Sequence, residues 1–209
     1  MNGSITVKVA RLAADLAIHP RHITPYLSNC FSRRSSLDLE VPWFSYSAIC
    51  LLDRFVKPAM LVYEYGSGGS TLYFAKRSGR VVSIEDDKDW YDRIVRVVNE
   101  RQLRNVDIRF TPANLSSVEL FRASGYPGAL PRELADIIVV DGSELDGVRV
   151  RPACFEIAET RIKGGGLIIV DDSWRYPQLR RRNHAKKVQI CQSVGPARPG
   201  VTSTDIFFY

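Results

Sequence analysis

The chain has 209 residues, 45% of them hydrophobic and 25% charged, with a formal net charge of +6. Such a composition describes one globular domain with a real core, alone or with an appendage, and excludes a disordered chain. No apolar run approaches the roughly 18 residues of a membrane helix, and a charge this mild supports solubility rather than a function.

Residues 5–17 carry Ile5, Val9, Leu12 and Leu16 at helical spacing, which predicts an amphipathic helix. Lys8, Arg11 and Asp15 break the same stretch, so it does not read as a secretion signal. Residues 19–42 read as a loop-rich lead-in, with breakers at His19-Pro20 and Val41-Pro42 and with Arg33-Arg34 beside serines. Trp43, Phe44 and Tyr46 form an aromatic cluster, either core or part of a segment folded over a substrate pocket. Ala48, Ile49, Leu52, Phe55 and Val56 continue as a helix that Pro58 ends.

From Ala59 the pattern alternates regularly. The predicted strands are Ala59–Tyr65, Arg80–Glu85, Val106–Phe110, Asp136–Asp141 and Leu167–Asp171. Between the first two lies a helix, Ser70–Arg77, with Gly79 as its cap. The next helix opens on Asp86, Asp87 and Asp89, where negative charge suits the macrodipole, and faces inward with Trp90, Ile94, Val97, Val98 and Leu103. A long connection, 111–133, follows the third strand. Ile137-Ile138-Val139-Val140 is an unbroken apolar run, the mark of a strand covered on both faces. Pro152 opens the last helix, which packs Cys154, Ile157 and Ala158 inward and is expected to end at Gly164-Gly165-Gly166. Val188–Ser193 and Thr202–Tyr209 are too closely joined for a crossover and must be antiparallel. The fold class is therefore α/β: a Rossmann-like, mostly parallel seven-stranded sheet with helices on both faces, a C-terminal antiparallel β-hairpin and an N-terminal helical segment. Two units are expected: residues 1–57 as a cap or substrate lid, and 58–209 as the ligand-binding domain. Cys30, Cys50, Cys154 and Cys191 form no CxxC pair and read as reduced, inert thiols of a cytoplasmic protein.

The first strand runs into Glu64-Tyr65-Gly66-Ser67-Gly68-Gly69-Ser70-Thr71. Gly66 and Gly68 let a ligand lie against the main chain, and Ser70 or Gly69 can cap the next helix. Four readings fit a glycine turn. A dinucleotide fingerprint needs a third glycine where this chain has Thr71, and a P-loop needs a lysine that is missing. A plain tight turn and a nucleoside cofactor without a pyrophosphate, such as S-adenosylmethionine, remain.

Ligands of open α/β sheets sit outside the carboxyl ends of the strands. Four of these strands close on acids: Glu64, Glu85, Asp141 and the pair Asp171-Asp172. Glu85 is placed to accept hydrogen bonds from both hydroxyls of an unphosphorylated ribose. Asp86 serves the adenosine end or begins a helix. Asn114 reads adenine through its amide or forms an Asx turn. Glu64 can hold a cationic amino group.

Glu64-Tyr65-Gly66-Ser67-Gly68, Glu85, Val140-Asp141-Gly142, Gly165-Gly166-Leu167-Ile168-Ile169-Val170-Asp171-Asp172 and the terminal hairpin together resemble the successive motifs of class I S-adenosylmethionine-dependent methyltransferases. The resemblance covers about residues 58–209. It implies that the turn, with Gly66, Ser67, Gly68 and Ser70, carries the methionine part of the cofactor, that Glu85 binds ribose, and that Asp141 faces the reactive end. The acids also resemble those of metal-dependent O-methyltransferases of small molecules, which implies Mg²⁺ on Asp141, Asp171 and Asp172. Here Asp141 lacks an adjacent second acid, and Asp171-Asp172 stands where many relatives have Asp-Asn.

Beyond the acidic pair, Trp174 and Tyr176 are placed to stack on an acceptor, Arg175 and Arg180 to hold an acidic substrate, and His184 to act as general base. The expected reaction is methyl transfer from S-adenosylmethionine to a small-molecule hydroxyl. The rivals are an NAD-dependent oxidoreductase and a methyltransferase fold kept as a non-catalytic binding module. A small-molecule acceptor is expected as partner, with no membrane and no nucleic acid; a homodimer is compatible with the sequence.

Overall fold

The computed structural model describes residues 5–32, 34–145, 147–196 and 200–209, with the side chains of 30–32 outside the description. Arg33 and the side chain of Cys30 thus lie outside the described residues. Seven strands form one sheet: β1 Leu61–Tyr65, β2 Arg80–Glu85, β3 Val106–Phe110, β4 Ala135–Val140, β5 Ile162–Val170, β6 Lys187–Val194 and β7 Val201–Phe208. Their order is β3-β2-β1-β4-β5-β7-β6. The first five are parallel, and β7 runs antiparallel to both β5 and β6. All five parallel strands therefore end on one rim, where Tyr65 pairs with Ile84 and Val140, Val140 with Val170 and Glu85 with Phe110.

The helices are α1 Ile5–Ile18, α2 Ile23–Ser32, α3 Ser36–Leu39, α4 Tyr46–Phe55, α5 Gly69–Ala75, α6 Lys88–Glu100, α7 Val118–Ala123 and α8 Arg151–Glu159. None among the described residues is long and apolar enough to cross a membrane. Alternation along the central strands decides which helix covers what. Tyr63, Tyr65, Ile138, Val140 and Ile168 pack with Ala153, Cys154, Phe155 and Ala158 of α8 and Phe121 of α7. Val62, Ile137, Val139 and Ile169 pack instead with Ala48, Ile49 and Leu52 of α4 and Tyr73 and Phe74 of α5. This two-sided cover is why the β4 run is apolar without a break. Ile94 and Val98 of α6 close a third cluster with Leu37 and Leu72.

Five expectations need correction or refinement. The lead-in is helical rather than loop-rich. Pro25 is tolerated in α2 because it sits in the first turn, where no intrahelical acceptor waits for its missing N–H. The connection after β3 contains α7, capped by the Ser117 hydroxyl, which accepts from Leu120 N–H at 3.2 Å. The three glycines after α8 belong to β5 and not to a helix end. In α1 the periodicity holds but only Leu12 and Leu16 reach the core, while Ile5 and Val9 are exposed. Trp43, read as core or lid, is exposed, while Phe44 and Tyr46 are buried.

Candidate functional site

Main-chain bonds draw the rim together: Gly66 N–H donates to Ile84 carbonyl at 2.8 Å and Asp141 N–H to Tyr65 carbonyl at 3.0 Å. Gly66 has φ +84°, and a Cβ there would sit 2.8 Å from the Asp141 carbonyl oxygen. Only glycine combines that angle with that closeness. The turn is pinned from two sides. Ser67 donates its N–H and its hydroxyl to Glu85 Oε2 at 2.9 and 2.6 Å. Trp90 of α6 donates its indole N–H to the Ser67 carbonyl at 2.7 Å. The other Glu85 oxygen accepts from Asp86 and Asp87 N–H at 3.0 and 3.1 Å. Glu85 thus faces the glycine turn, the orientation expected of a residue that grips a sugar lying over that turn.

Neither Gly69 nor Ser70 caps α5. The residue before the helix is Gly68, whose N–H donates to the Thr71 hydroxyl at 3.0 Å. Gly69 serves another purpose, since a Cβ there would lie 2.2 Å from the Val41 carbonyl and 2.5 Å from that of Ser36. The segment around α3 therefore presses on the start of α5, beside the turn.

Glu64 is fully buried. Its Oε2 accepts from the Ser83 hydroxyl at 2.6 Å, whereas Oε1 has no hydrogen-bond partner. Burial pushes the carboxyl up to about 7, against the hydroxyls of Ser83, Thr71 and Ser70. An orphaned buried carboxylate oxygen beside a glycine turn is a costly arrangement without a ligand. It suits the ammonium group of an amino-acid moiety, directly or through water. Ser83 was not singled out from the sequence, and Thr71 only as the residue in place of a third glycine, although a serine inside the apolar β2 was a signal available there. Asp86 also holds an unpartnered buried oxygen, Oδ1, and burial followed by the neighbouring Glu85 raises its pKa. Asn114 lies exposed, its side-chain oxygen accepting from Ser116 N–H at 3.0 Å, which is the Asx turn left open above.

Asp141 is met by a residue that sequence reasoning missed. Arg151, first in α8, lies 3.0 Å from Asp141 Oδ1 and donates to the Gly142 and Asp171 carbonyls at 3.0 and 2.9 Å. Burial disfavours the charged guanidinium, but Asp141 foremost, then Tyr176, Asp171 and Glu144, more than restore it. No spacing rule links Arg151 to Asp141, because the contact depends on where α8 starts.

The acids read as a Mg²⁺ site are engaged by other side chains. Among the described residues, one cluster of acid and histidine side chains has metal-ligand closeness, and these three are not in it. Asp171 accepts from the Thr204 hydroxyl at 2.7 Å, and burial, then the Asp141 and Asp172 charges, raises its pKa. Asp172 accepts from the Trp174 indole at 3.2 Å and lies 3.6 Å from Arg175 Nε. With the Arg151 guanidinium on Asp141, hydroxyl, indole and guanidinium donors stand where a hard cation needs bare oxygens. The donor set does not fit Mg²⁺.

Three further site expectations are corrected. His184 lies 87% exposed, its Nδ1 3.0 Å from Glu159 Oε2 at the far end of α8. It precedes β6, whose first residue Lys187 pairs with Phe208, which in turn pairs with Leu167 near the amino end of the parallel strands. The chain has descended the whole sheet by then, so His184 is remote from the rim. Tyr176 is 1% exposed, sunk in the core with α8, and stacks on nothing outside. Arg180 is bound bidentately to the buried Asp205 at 2.6 and 3.2 Å and is not free for a substrate. Trp174 stays at the rim, with the Arg175 guanidinium 5.0 Å from its ring centre.

No protein-family model matches the chain, and no curated protein matches its sequence. Solved structures do. A candidate O-methyltransferase from Klebsiella pneumoniae aligns with TM-score 0.61 and 15% identity, over 97% of this chain and 98% of its own. Cofactor-bound Rv0187 from MTB aligns with TM-score 0.61 and 18% identity, over 95% and 89%. The Thermus thermophilus 16S rRNA N2 G1207 methyltransferase RsmC, in complex with AdoMet and guanosine, gives TM-score 0.54 and 18% identity, over 78% of this chain and 42% of its own. The chain has the class I methyltransferase fold.

Proposed function

We propose that the protein is an S-adenosylmethionine-dependent methyltransferase acting on a hydroxyl of a small molecule. The observation that carries the reading is the Glu85–Ser67 contact, 2.9 Å to the amide and 2.6 Å to the hydroxyl. It holds an acid over a glycine turn in which Gly66 leaves no room for a Cβ. Gly66, Ser67 and Gly68 would hold the methionine part, Glu64 its ammonium, and Glu85 the ribose hydroxyls. When bound, the sulfonium supplies an activated methyl group to the acceptor. The protein's share is alignment of donor and acceptor and exclusion of water. The α3 segment against Gly69 and the indole of Trp90 close two sides of the turn. Asp141, held by Arg151, and Trp174 remain at the rim to face an acceptor.

The small-molecule reading is supported by coverage. The Klebsiella protein aligns over 97% of this chain and 98% of its own, whereas the alignment with the rRNA enzyme takes in 78% of this chain and 42% of that enzyme. Residues 1–57 are proposed as a wall of the substrate side and not as a separate domain, since α4 is built into the core. Incubation with methyl-labelled S-adenosylmethionine and a panel of small hydroxylated acceptors tests the reading. Label in an organic-soluble product, with stoichiometric S-adenosylhomocysteine and no stimulation by Mg²⁺, is expected. Label confined to RNA, or none with any acceptor, would remove the small-molecule claim.

A further inference from the structure

Asp15, His19 and His22 meet where α1 gives way to a short 3₁₀ turn, Pro20–His22. One ligand atom from each lies within 4.8 Å of the other two. Helix geometry brings them together: Asp15 and His19 are one turn apart, and the tighter turn opened by Pro20 carries His22 back to the same side. His19 Nδ1 is 3.3 Å from Asp15 Oδ1, and the two imidazoles stack 5.1 Å apart at 13°. His22 is 2% exposed, and neither of its ring nitrogens has a hydrogen-bond partner. Its other close ring, Tyr46 at 5.3 Å, offers a tilted face. A buried imidazole left without partners at both nitrogens needs an explanation, and a bound ion is one of the standard ones.

We propose that Asp15, His19 and His22 bind a first-row divalent transition metal of the Zn²⁺ type. Two imidazole nitrogens and one carboxylate suit Zn²⁺ and its neighbours, whereas Mg²⁺ and Ca²⁺ take oxygen donors. Three protein ligands leave one tetrahedral position for solvent or a ligand atom. Asp15 and His19 also line an open cavity of about 640 Å³, shared with Trp174, Arg180 and Gln192, which gives the site access. The Asp15 carboxylate is already oriented, because its Oδ2 accepts the Val194 N–H at 2.9 Å. The metal would therefore tie α1 and the following turn to the end of β6. The proposal stands apart from the methyl-transfer reading and from the rim acids.

The test uses the untagged full-length chain, stripped with EDTA and titrated with Zn²⁺ and with Co²⁺. One equivalent of either metal is expected, with visible d–d absorption for Co²⁺ and a rise in Tm. His19→Ala and His22→Ala should each weaken binding by more than about 100-fold, since loss of a ligand exceeds loss of an outer-shell partner. His184→Ala, which removes the remaining histidine of the chain's three, should bind as the wild type does. His19 is partly exposed, so its variant folds and keeps the test valid if His22→Ala does not. No binding, undiminished binding in His19→Ala, or loss in His184→Ala would each overturn the proposal.

Discussion

The Glu85 carboxylate takes both the amide and the hydroxyl of Ser67, 18 positions earlier in the chain, at 2.9 and 2.6 Å. The acid that closes β2 thus shapes the turn that closes β1 before any ligand arrives. Removing it leaves the amides of Ser67, Asp86 and Asp87 without their acceptor. Glu85→Ala should cost about 2–3 kcal/mol of stability, read as a fall in the urea midpoint at unchanged m-value.

Glu64 makes stability depend on pH. Its carboxyl titrates near 4.5 unfolded and is pushed up to about 7 by burial when folded. Between those values the native chain holds a proton that the unfolded chain has lost. Stability should therefore fall as pH rises through that window, by an amount on the order of 3 kcal/mol from this group. Asp171, also raised by burial, adds to the decline with the same sign. Glu64→Gln should flatten the curve in part and be more stable than the wild type at pH 8. Cofactor binding at pH 6.5 should release protons in the wild type as Glu64 ionises beside an ammonium. Calorimetry in buffers of different ionisation enthalpy measures that release, and Glu64→Gln should abolish most of it.

Gly66→Ala places a methyl group 2.8 Å from a main-chain oxygen at φ +84°. Backbone cannot yield as a flexible side chain can, so a loss of about 2–4 kcal/mol is expected. Gly69→Ala meets the Val41 carbonyl at 2.2 Å. It should push the α3 segment away, and proteolysis between residues 34 and 45 should quicken.

Arg151→Met should be the most damaging of the rim substitutions. It strips Asp141 of its cation and the Gly142 and Asp171 carbonyls of their donor. A loss of about 3–5 kcal/mol is expected, as when one partner of a buried pair is removed. Arg151→Lys should rescue little, because one ammonium cannot serve three separated oxygens. Thermal unfolding of the two variants side by side checks both statements.

Much of this was legible along the chain, for reasons particular residues make clear. The β4 run Ile137-Ile138-Val139-Val140 announces a doubly covered strand, and the brief gap before Val201 forces an antiparallel hairpin. Glu64 and Glu85 could be placed because strand ends and glycine turns are local signals. What escaped depended on long-range placement. The Asp15–Val194 contact joins residues 179 apart. His184 and Arg180 look like lid residues until the path down the sheet is known, and Tyr176 reads as an exposed aromatic until α8 covers it. The rim acids suggested a metal because their partners, Arg151 and Thr204, approach from elements that no motif specifies.

The most direct test of the cofactor claim is isothermal titration of S-adenosylmethionine and NAD into the wild type and Glu85→Ala, with circular dichroism confirming that the variant is folded. S-adenosylmethionine should bind one to one with a micromolar Kd, Glu85→Ala should weaken it by more than about 100-fold, or over 2.7 kcal/mol, and NAD should not bind. An unchanged affinity in the folded variant, or NAD binding where S-adenosylmethionine does not, would contradict the account.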